Sequence, residues 1–228
     1  MRKIDYSDNP NQRTPCVLIL DASGSMNEAS VGKRTRIDEL NAGLVTLQSE
    51  LSADDTALVR VMLGIVSVGG PSNDADIMMD WTDAAEFTAF PLKASGTTPL
   101  GKGILLALQM IDMEKQELRA AGISYTRPWI MVISDGEPTD AAAEWESAVK
   151  ACRRAEKNRE AEIFAIGVAG ANLAKLGEIS EKPPLMLSGT KFKNLFIWLS
   201  ASLGAASRSR PGDVLQLPST DPWRNVGI

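Results

Sequence analysis

The sequence predicts an α/β fold, a doubly wound, mostly parallel central sheet with helices on both faces and one antiparallel edge strand. Three observations carry this expectation. Two short apolar runs, Cys16 to Leu20 and Trp129 to Ile133, lack polar alternation, as strands covered on both faces do. Segments with apolar residues at helical spacing alternate with such runs, which implies parallel strands joined by right-handed crossovers. The two runs lead into carboxylates, Asp21 and Asp135, and ligands of such sheets sit beyond the strand carboxyl ends where strand order reverses.

The elements follow in order. Residues 1–14 are polar, with Asn9-Pro10-Asn11, and read as an extended lead-in. The strand Cys16 to Leu20 opens a domain expected to span 15–206, and a polar loop runs from Asn27 to Arg34. Ile37, Leu40, Leu44, Leu47 and Leu51 recur at helical spacing, so a first helix is predicted from about Lys33 to Leu51. Ser52-Ala53-Asp54-Asp55 breaks it. Leu58 to Val68 reads as a long strand, Gly69-Gly70-Pro71 as a turn, and Asp76 to Met79 as a short antiparallel edge strand. A short helix is predicted within Trp81 to Phe90.

The next helix begins at Pro99, whose missing N–H is no loss in a first turn, and Gly122 stops it. Its stripe is Ile104, Leu108, Ile111 and Leu118. After the strand Trp129 to Ser134, Thr139 or Asp140 is the candidate cap of a helix carrying Ala141, Trp145, Ala148, Cys152 and Ala155 on one face. That helix has its acids early and its bases late, as the helix dipole prefers. Glu162 to Val168 is a strand, Leu173 to Leu176 a short helix, and Leu185 to Leu187 a short strand. A last helix, about Lys191 to Ala206, buries Phe192, Leu195, Leu199 and Leu203. Residues 207–228 hold Pro211-Gly212, Pro218 and Pro222 and form a tail. Its Leu215, Leu217 and Trp223 imply that it packs on the domain.

Composition excludes several functions. Of 228 residues 44% are hydrophobic, enough for a sizeable core, and the net charge of −5 argues against nucleic acid as partner. No apolar stretch reaches membrane-spanning length. The opening Met1 to Tyr6 lacks the apolar core of a signal peptide. Cys16 and Cys152 read as buried thiols, so the expected location is cytoplasmic. Histidine is absent, which removes serine-histidine and cysteine-histidine catalysis and most zinc sites.

The chemistry gathers after the first strand. Asp21, Ser23 and Ser25 cannot continue a buried strand, since each needs a polar partner. Gly24 lets the backbone turn, so one carboxylate and two hydroxyls converge as half a cage for a hard cation such as Mg²⁺. Each residue alone has a plainer reading: Asp21 as a turn residue, Asp135 as a cap, Met26 as core. Gly167-Val168-Ala169-Gly170 lacks the lysine and hydroxyl of a phosphate loop.

The D-x-S-x-S arrangement after an apolar strand resembles the metal-ion-dependent adhesion site of von Willebrand factor A domains, whose fold is Rossmann-like. Ser95-Gly96-Thr97-Thr98-Pro99-Leu100-Gly101 is similar to the loop that supplies the family's threonine, and Ile130 to Gly136 to the strand that ends in its aspartate. The resemblance implies a metal site of Asp21, Ser23, Ser25, Thr98 and Asp135. Thr97 competes, but Thr98-x-x-Gly101 fits the family loop without a gap. The implied ion is Mg²⁺, with Mn²⁺ or Ca²⁺ as alternatives, and one position stays open for a partner's Asp or Glu, or a phosphate. No base or nucleophile stands beside the site in sequence, so binding is expected and catalysis is not.

Asp135 to Asp140, Val168 to Leu173, Phe196 to Ser202 and Ser207 to Asp213 resemble, more narrowly, the TerY branch of bacterial tellurium-resistance proteins. That branch implies a stress-response or phage-defence adaptor working with a protein kinase and a PP2C-type phosphatase. Two alternatives stay open, an adaptor for an ATPase or chelatase machine and a metal-dependent phosphoesterase.

Overall fold

The computed structural model describes residues 9–29, 34–187, 191–209 and 215–221. Strands β1 (Thr14–Ala22), β2 (Val61–Gly69), β3 (Asp74–Asp83), β4 (Trp129–Ser134), β5 (Glu162–Gly167) and β6 (Leu185–Met186) form one sheet in the order β3-β2-β1-β4-β5-β6. β3 runs antiparallel to β2, and the other pairings are parallel. The chain first builds outward from β1 through β2 and β3, then returns to place β4 on β1's other side. Strand order therefore reverses between β1 and β4, the strands that carry Asp21 and Asp135 to their carboxyl ends.

Among the described residues six helices cover the sheet: α1 (Arg36–Ser52), α2 (Asp55–Arg60), α3 (Leu100–Ala120), α4 (Ala142–Lys157), α5 (Leu173–Leu176) and α6 (Phe192–Arg208). The two-residue period of β1 divides the core. Cys16, Leu18 and Leu20 pack with Leu40 and Leu44 of α1 and Leu195 and Leu199 of α6. Val17 and Ile19 pack with Ile104 and Ala107 of α3 and Ala148 of α4. Each such aliphatic side chain contributes about 2 kcal/mol on leaving water. Both cysteines are buried and free, and burial pushes the Cys152 thiol up to about 12, so neither is a reactive thiol. No helix among the described residues is long and apolar enough to cross a membrane.

Several sequence expectations need correction. Leu58 to Arg60 belongs to α2 and not to a long strand, because Asp54 Oδ1 accepts from Thr56 N (2.9 Å) and Ala57 N (3.0 Å) and starts a helical turn there. The edge strand is ten residues long, and its pairing with β2 is irregular between Leu63 and Val66. No helix forms within Trp81 to Phe90. Trp81 to Asp83 remain in β3 with Thr82 and Asp83 paired to β2, Trp81 Nε1 donates to Met110 O (3.2 Å), and only a turn at residues 84–86 follows.

Helix α4 has Ala141 at its N-cap, exposed and without a side-chain cap, so neither Thr139 nor Asp140 serves there. Arg153 donates to Gly177 O and Glu178 O (2.8 Å each) and closes the end of α5. Helix α6 runs two residues past the expected boundary at 206. Beyond it, Leu215 and Leu217 pack against the α1–α6 core, and Trp198 Nε1 donates to Pro218 O (2.8 Å). Residues 1–8 of the lead-in, Pro211-Gly212, Pro222 and Trp223 lie outside the described residues.

Candidate metal centre

β1 delivers Asp21 fully buried at its carboxyl end, and the chain then turns through a single 3-10 turn, Gly24–Asn27. Both Asp21 oxygens are held by the frame. Ser23 N–H donates to Oδ1 (2.8 Å) and the Ser134 hydroxyl donates to Oδ2 (2.6 Å). Burial pushes the Asp21 carboxyl above the usual aspartate range, the bonds from Ser134 and Ser23 oppose that rise, and nearby Asp135 adds to it.

In front of Asp21 the other oxygens form a chain. Ser23 Oγ and Ser25 Oγ lie 3.0 Å apart, and the Ser25 hydroxyl donates to Asp135 Oδ2. Asp135 Oδ1 also accepts from Glu137 N (3.3 Å). Hydrogen bonding thus links Asp21, Ser23, Ser25 and Asp135 from two strands 110 residues apart in sequence.

Thr98 is brought to this group by its loop. Gly24 N donates to Gly96 O (3.0 Å), and Gly69, at φ +84°, sits where a Cβ would lie 2.5 Å from Thr97 O and 2.9 Å from Ser23 Cα. Only glycine lets the two loops meet there. Thr98 is buried, whereas Thr97 is exposed and donates through both N–H and hydroxyl to Asn73 Oδ1 (2.6 and 2.9 Å). Thr98 N donates to Thr139 Oγ1 (3.1 Å) and Thr139 N to Thr98 O (2.9 Å), locking the threonine loop to the β4 exit.

Asp140 has a role that the sequence did not disclose. Its carboxylate accepts from Gly101 N (2.9 Å) and Lys102 N (3.0 Å), capping α3 from 38 residues away. Pro99, the N-cap of that helix, offers no side-chain cap of its own. Ser134, the hydroxyl that holds Asp21, could have been noticed as the polar residue ending an apolar run. Asn73 carries no such signal, being a turn residue 24 positions from Thr97.

The donor set fits a hard cation. Neighbouring oxygens of an octahedral Mg²⁺ shell are about 2.9 Å apart for ligand distances of 2.0–2.1 Å, close to the 3.0 Å between the two serine hydroxyls. All donors are oxygen, which suits Mg²⁺, Mn²⁺ or Ca²⁺ better than softer metals. Among the described residues no group of three or more His, Cys, Asp or Glu side chains converges as a metal cluster, so a cation here rests on two carboxylates and hydroxyls.

The family model of the von Willebrand factor type A domain matches residues 16–196, and the chain belongs to that family. No curated protein matches the chain at the level of sequence. Among solved structures it is similar to the pilus adhesin SpaC from Lactobacillus rhamnosus GG, with a TM-score of 0.65 and 11% identity. That likeness covers 86% of this chain and 32% of the adhesin. It is also similar to proximal thread matrix protein 1 from the mussel byssus, with a TM-score of 0.54, 12% identity, and coverage of 86% and 49%. The chain thus spans about a third and a half of these two chains, and at such identities the likeness is one of fold. Domains of this family commonly mediate metal-dependent protein–protein interaction.

Proposed function

We propose that the chain is a metal-dependent protein-binding adaptor that captures an acidic group of a partner at the mouth between β1 and β4. The observation that carries this reading is the run of oxygens from Ser23 through Ser25 to Asp135 at the point where strand order reverses. In this reading Ser23, Ser25, Thr98 and Asp135 hold a Mg²⁺ or Mn²⁺ ion, and Asp21 acts on it through water, since both its oxygens already accept frame hydrogen bonds. A bound divalent ion would balance the charge of the two carboxylates and supply an open position for a carboxylate or phosphate oxygen.

The residues themselves do the orienting. Ser134 and Ser23 N–H fix Asp21, Asp21 stands behind the serine loop, and the Thr98–Thr139 bonds fix the threonine loop. Among the described residues the side chains hydrogen-bonded together here are two carboxylates and serine hydroxyls, and we read the site as one of binding without turnover. We extend the reading to the TerY-like branch, a cytoplasmic stress-response adaptor whose acidic or phosphorylated partner is a protein kinase or a PP2C-type phosphatase. One of the segments carrying that resemblance, Asp135 to Asp140, also pins the threonine loop and α3.

Isothermal titration of Mg²⁺ and Mn²⁺ into the chain, with Ser25→Ala alongside, tests the site. Saturable binding lost in the variant supports it, and the absence of binding in the parent overturns it. Partner capture equal in Mg²⁺ and in chelator would remove the metal from the contact.

A further inference from the structure

Helix α3 carries apolar residues on more faces than the core uses. Ile104, Ala107, Ile111 and Leu118 are buried against the sheet, yet Leu105, Leu106 and Leu108 stay half-buried and Met113 is 37% exposed. Gln109 and Met113 form a ridge with a groove on each side, and both residues line both grooves. One groove, about 210 Å³, lies between α3 and β3 over Ile77, Trp81 and Met110. The other, about 380 Å³, lies between α3 and α4 over Leu105, Leu108 and Ala155. A cavity of about 150 Å³ accepts a benzene-sized group, so each groove has room for a large apolar side chain. Exposed apolar surface of this kind marks interaction sites, and methionine adapts its shape to what it meets.

Charge selects the occupant. The α3–β3 groove is lined by Asp80, Glu114 and Glu117, with no cation among its described residues. The α3–α4 groove is lined by Asp112 and Glu160 against Arg154, and Asp112 also pairs with Lys115 (3.5 Å), so the acidic character of the face lies at the α3–β3 groove. A second copy meeting this face would set carboxylates against carboxylates. Strand addition at β3 is opposed by its irregular pairing and by Asp74, Asp76 and Asp80 along the edge. We propose that this face binds a basic amphipathic helix of a partner protein. Anchors seven residues apart, about 10.5 Å along a helix, straddle a ridge one helix wide, about 10–12 Å. They enter the two grooves while Lys or Arg side chains meet Asp80 and Glu117. The surface starts a full turn into α3, away from the end that faces the metal loops, so its occupancy does not depend on metal.

A fluorescent helical peptide of leucine and lysine, and its counterpart with glutamate for lysine, test the proposal by anisotropy with the full chain, in Mg²⁺ and in chelator. The lysine peptide should bind at least tenfold more tightly than the glutamate peptide, equally in both buffers, with hydrogen-exchange protection on α3 and β3. Met113→Lys and Gln109→Lys, both at exposed positions, should each weaken binding at least tenfold without lowering the melting temperature. Equal binding of the two peptides, unchanged binding by both variants, or protection elsewhere would overturn it. So would a dimer that Met113→Lys dissociates, which would assign the face to a second copy. Loss of Mg²⁺ binding in Ser25→Ala with the peptide still bound keeps this proposal apart from the metal site.

Discussion

Replacing Asp21 and Asp135 one at a time should separate a residue that holds the frame from one that holds the metal. Asp21→Ala leaves Ser23 N–H and the Ser134 hydroxyl without an acceptor, at residues 2% and 0% exposed. Each buried unsatisfied group costs about 1–3 kcal/mol. Removing a carboxylate that burial already penalises offsets part of this. The net loss is about 2 kcal/mol, roughly 4–8 °C in melting temperature for a chain of this size. Asp135→Ala loses the Ser25 hydroxyl and the long Glu137 contact, beside a half-buried serine where water can replace them. It also relieves the repulsion with Asp21, so in chelator it should melt within about 1 kcal/mol of the parent. Mg²⁺ at a hundredfold above its dissociation constant should raise the parent by about 2.7 kcal/mol and leave Asp135→Ala nearly unmoved. The assay is thermal melting by circular dichroism of parent and both variants, each in Mg²⁺ and in chelator. An Asp135→Ala protein that melts far below the parent in chelator, or an Asp21→Ala protein that melts with it, would refute the division of roles.

Three further outcomes are expected. Asp140→Ala should cost about 1–2 kcal/mol, because α3 loses the carboxylate that caps it, and it should weaken Mg²⁺ stabilisation through the loosened Thr98 loop; urea denaturation with and without Mg²⁺ reads both. Gly43→Ala should destabilise by about 1–3 kcal/mol despite alanine's better helix propensity, since the added Cβ would lie 2.5 Å from the buried Phe196 ring; a thermal melt equal to or above the parent's would contradict this. At Asp54 burial raises the carboxyl's pKa, but the Arg208 contact and the backbone bonds from Ala57 and Thr56 outweigh it and hold it below the usual aspartate range. Its stabilisation is thus present above the unfolded value near 3.9 and lost as pH falls through the lower folded value, so Asp54→Asn should cost about 0.5–1 kcal/mol at pH 7 and less at pH 3 in urea titrations.

The parts of the fold legible in the sequence are those where one physical signal acts alone. β1, β4 and β5 are apolar runs buried on both faces, and the stripes of α1, α3 and α6 follow a single helical period, so each was readable within a few residues. Leu58 to Val68 failed because an apolar run does not distinguish helix from strand, and the deciding event was Asp54 bonding two amides ahead of it. Trp81 to Phe90 failed because pairing to β2 overrode the local pattern. At the site, the family-like spacing located Asp21, Ser23, Ser25, Thr98 and Asp135. The residues that hold the loops in place, Asn73, Thr139 and Asp140, were silent or misassigned because their partners lie 24 to 41 residues away.

Those distant contacts determine how the centre can work. The serine loop is tied to the threonine loop by Gly24 N to Gly96 O (3.0 Å), and the threonine loop to β1 by Ser95 N to Ala22 O (2.9 Å). The β4 exit is tied to the threonine loop through Thr139 and to the approach to α5 by Asn172 N to Asp135 O (2.7 Å). Each of these ties uses a backbone group and none uses the side-chain oxygens offered to a cation. The loops are therefore ordered before any metal arrives, and a binding event has little backbone entropy left to lose, about 1–2 kcal/mol for each residue already fixed. A ligand that orders nothing keeps more of its interaction free energy as affinity. Neutral hydroxyls are weak donors, and preorganisation of this kind is what lets two carboxylates and three hydroxyls, whose charge only balances that of a divalent ion, hold it with a coordination position left for the partner's acid.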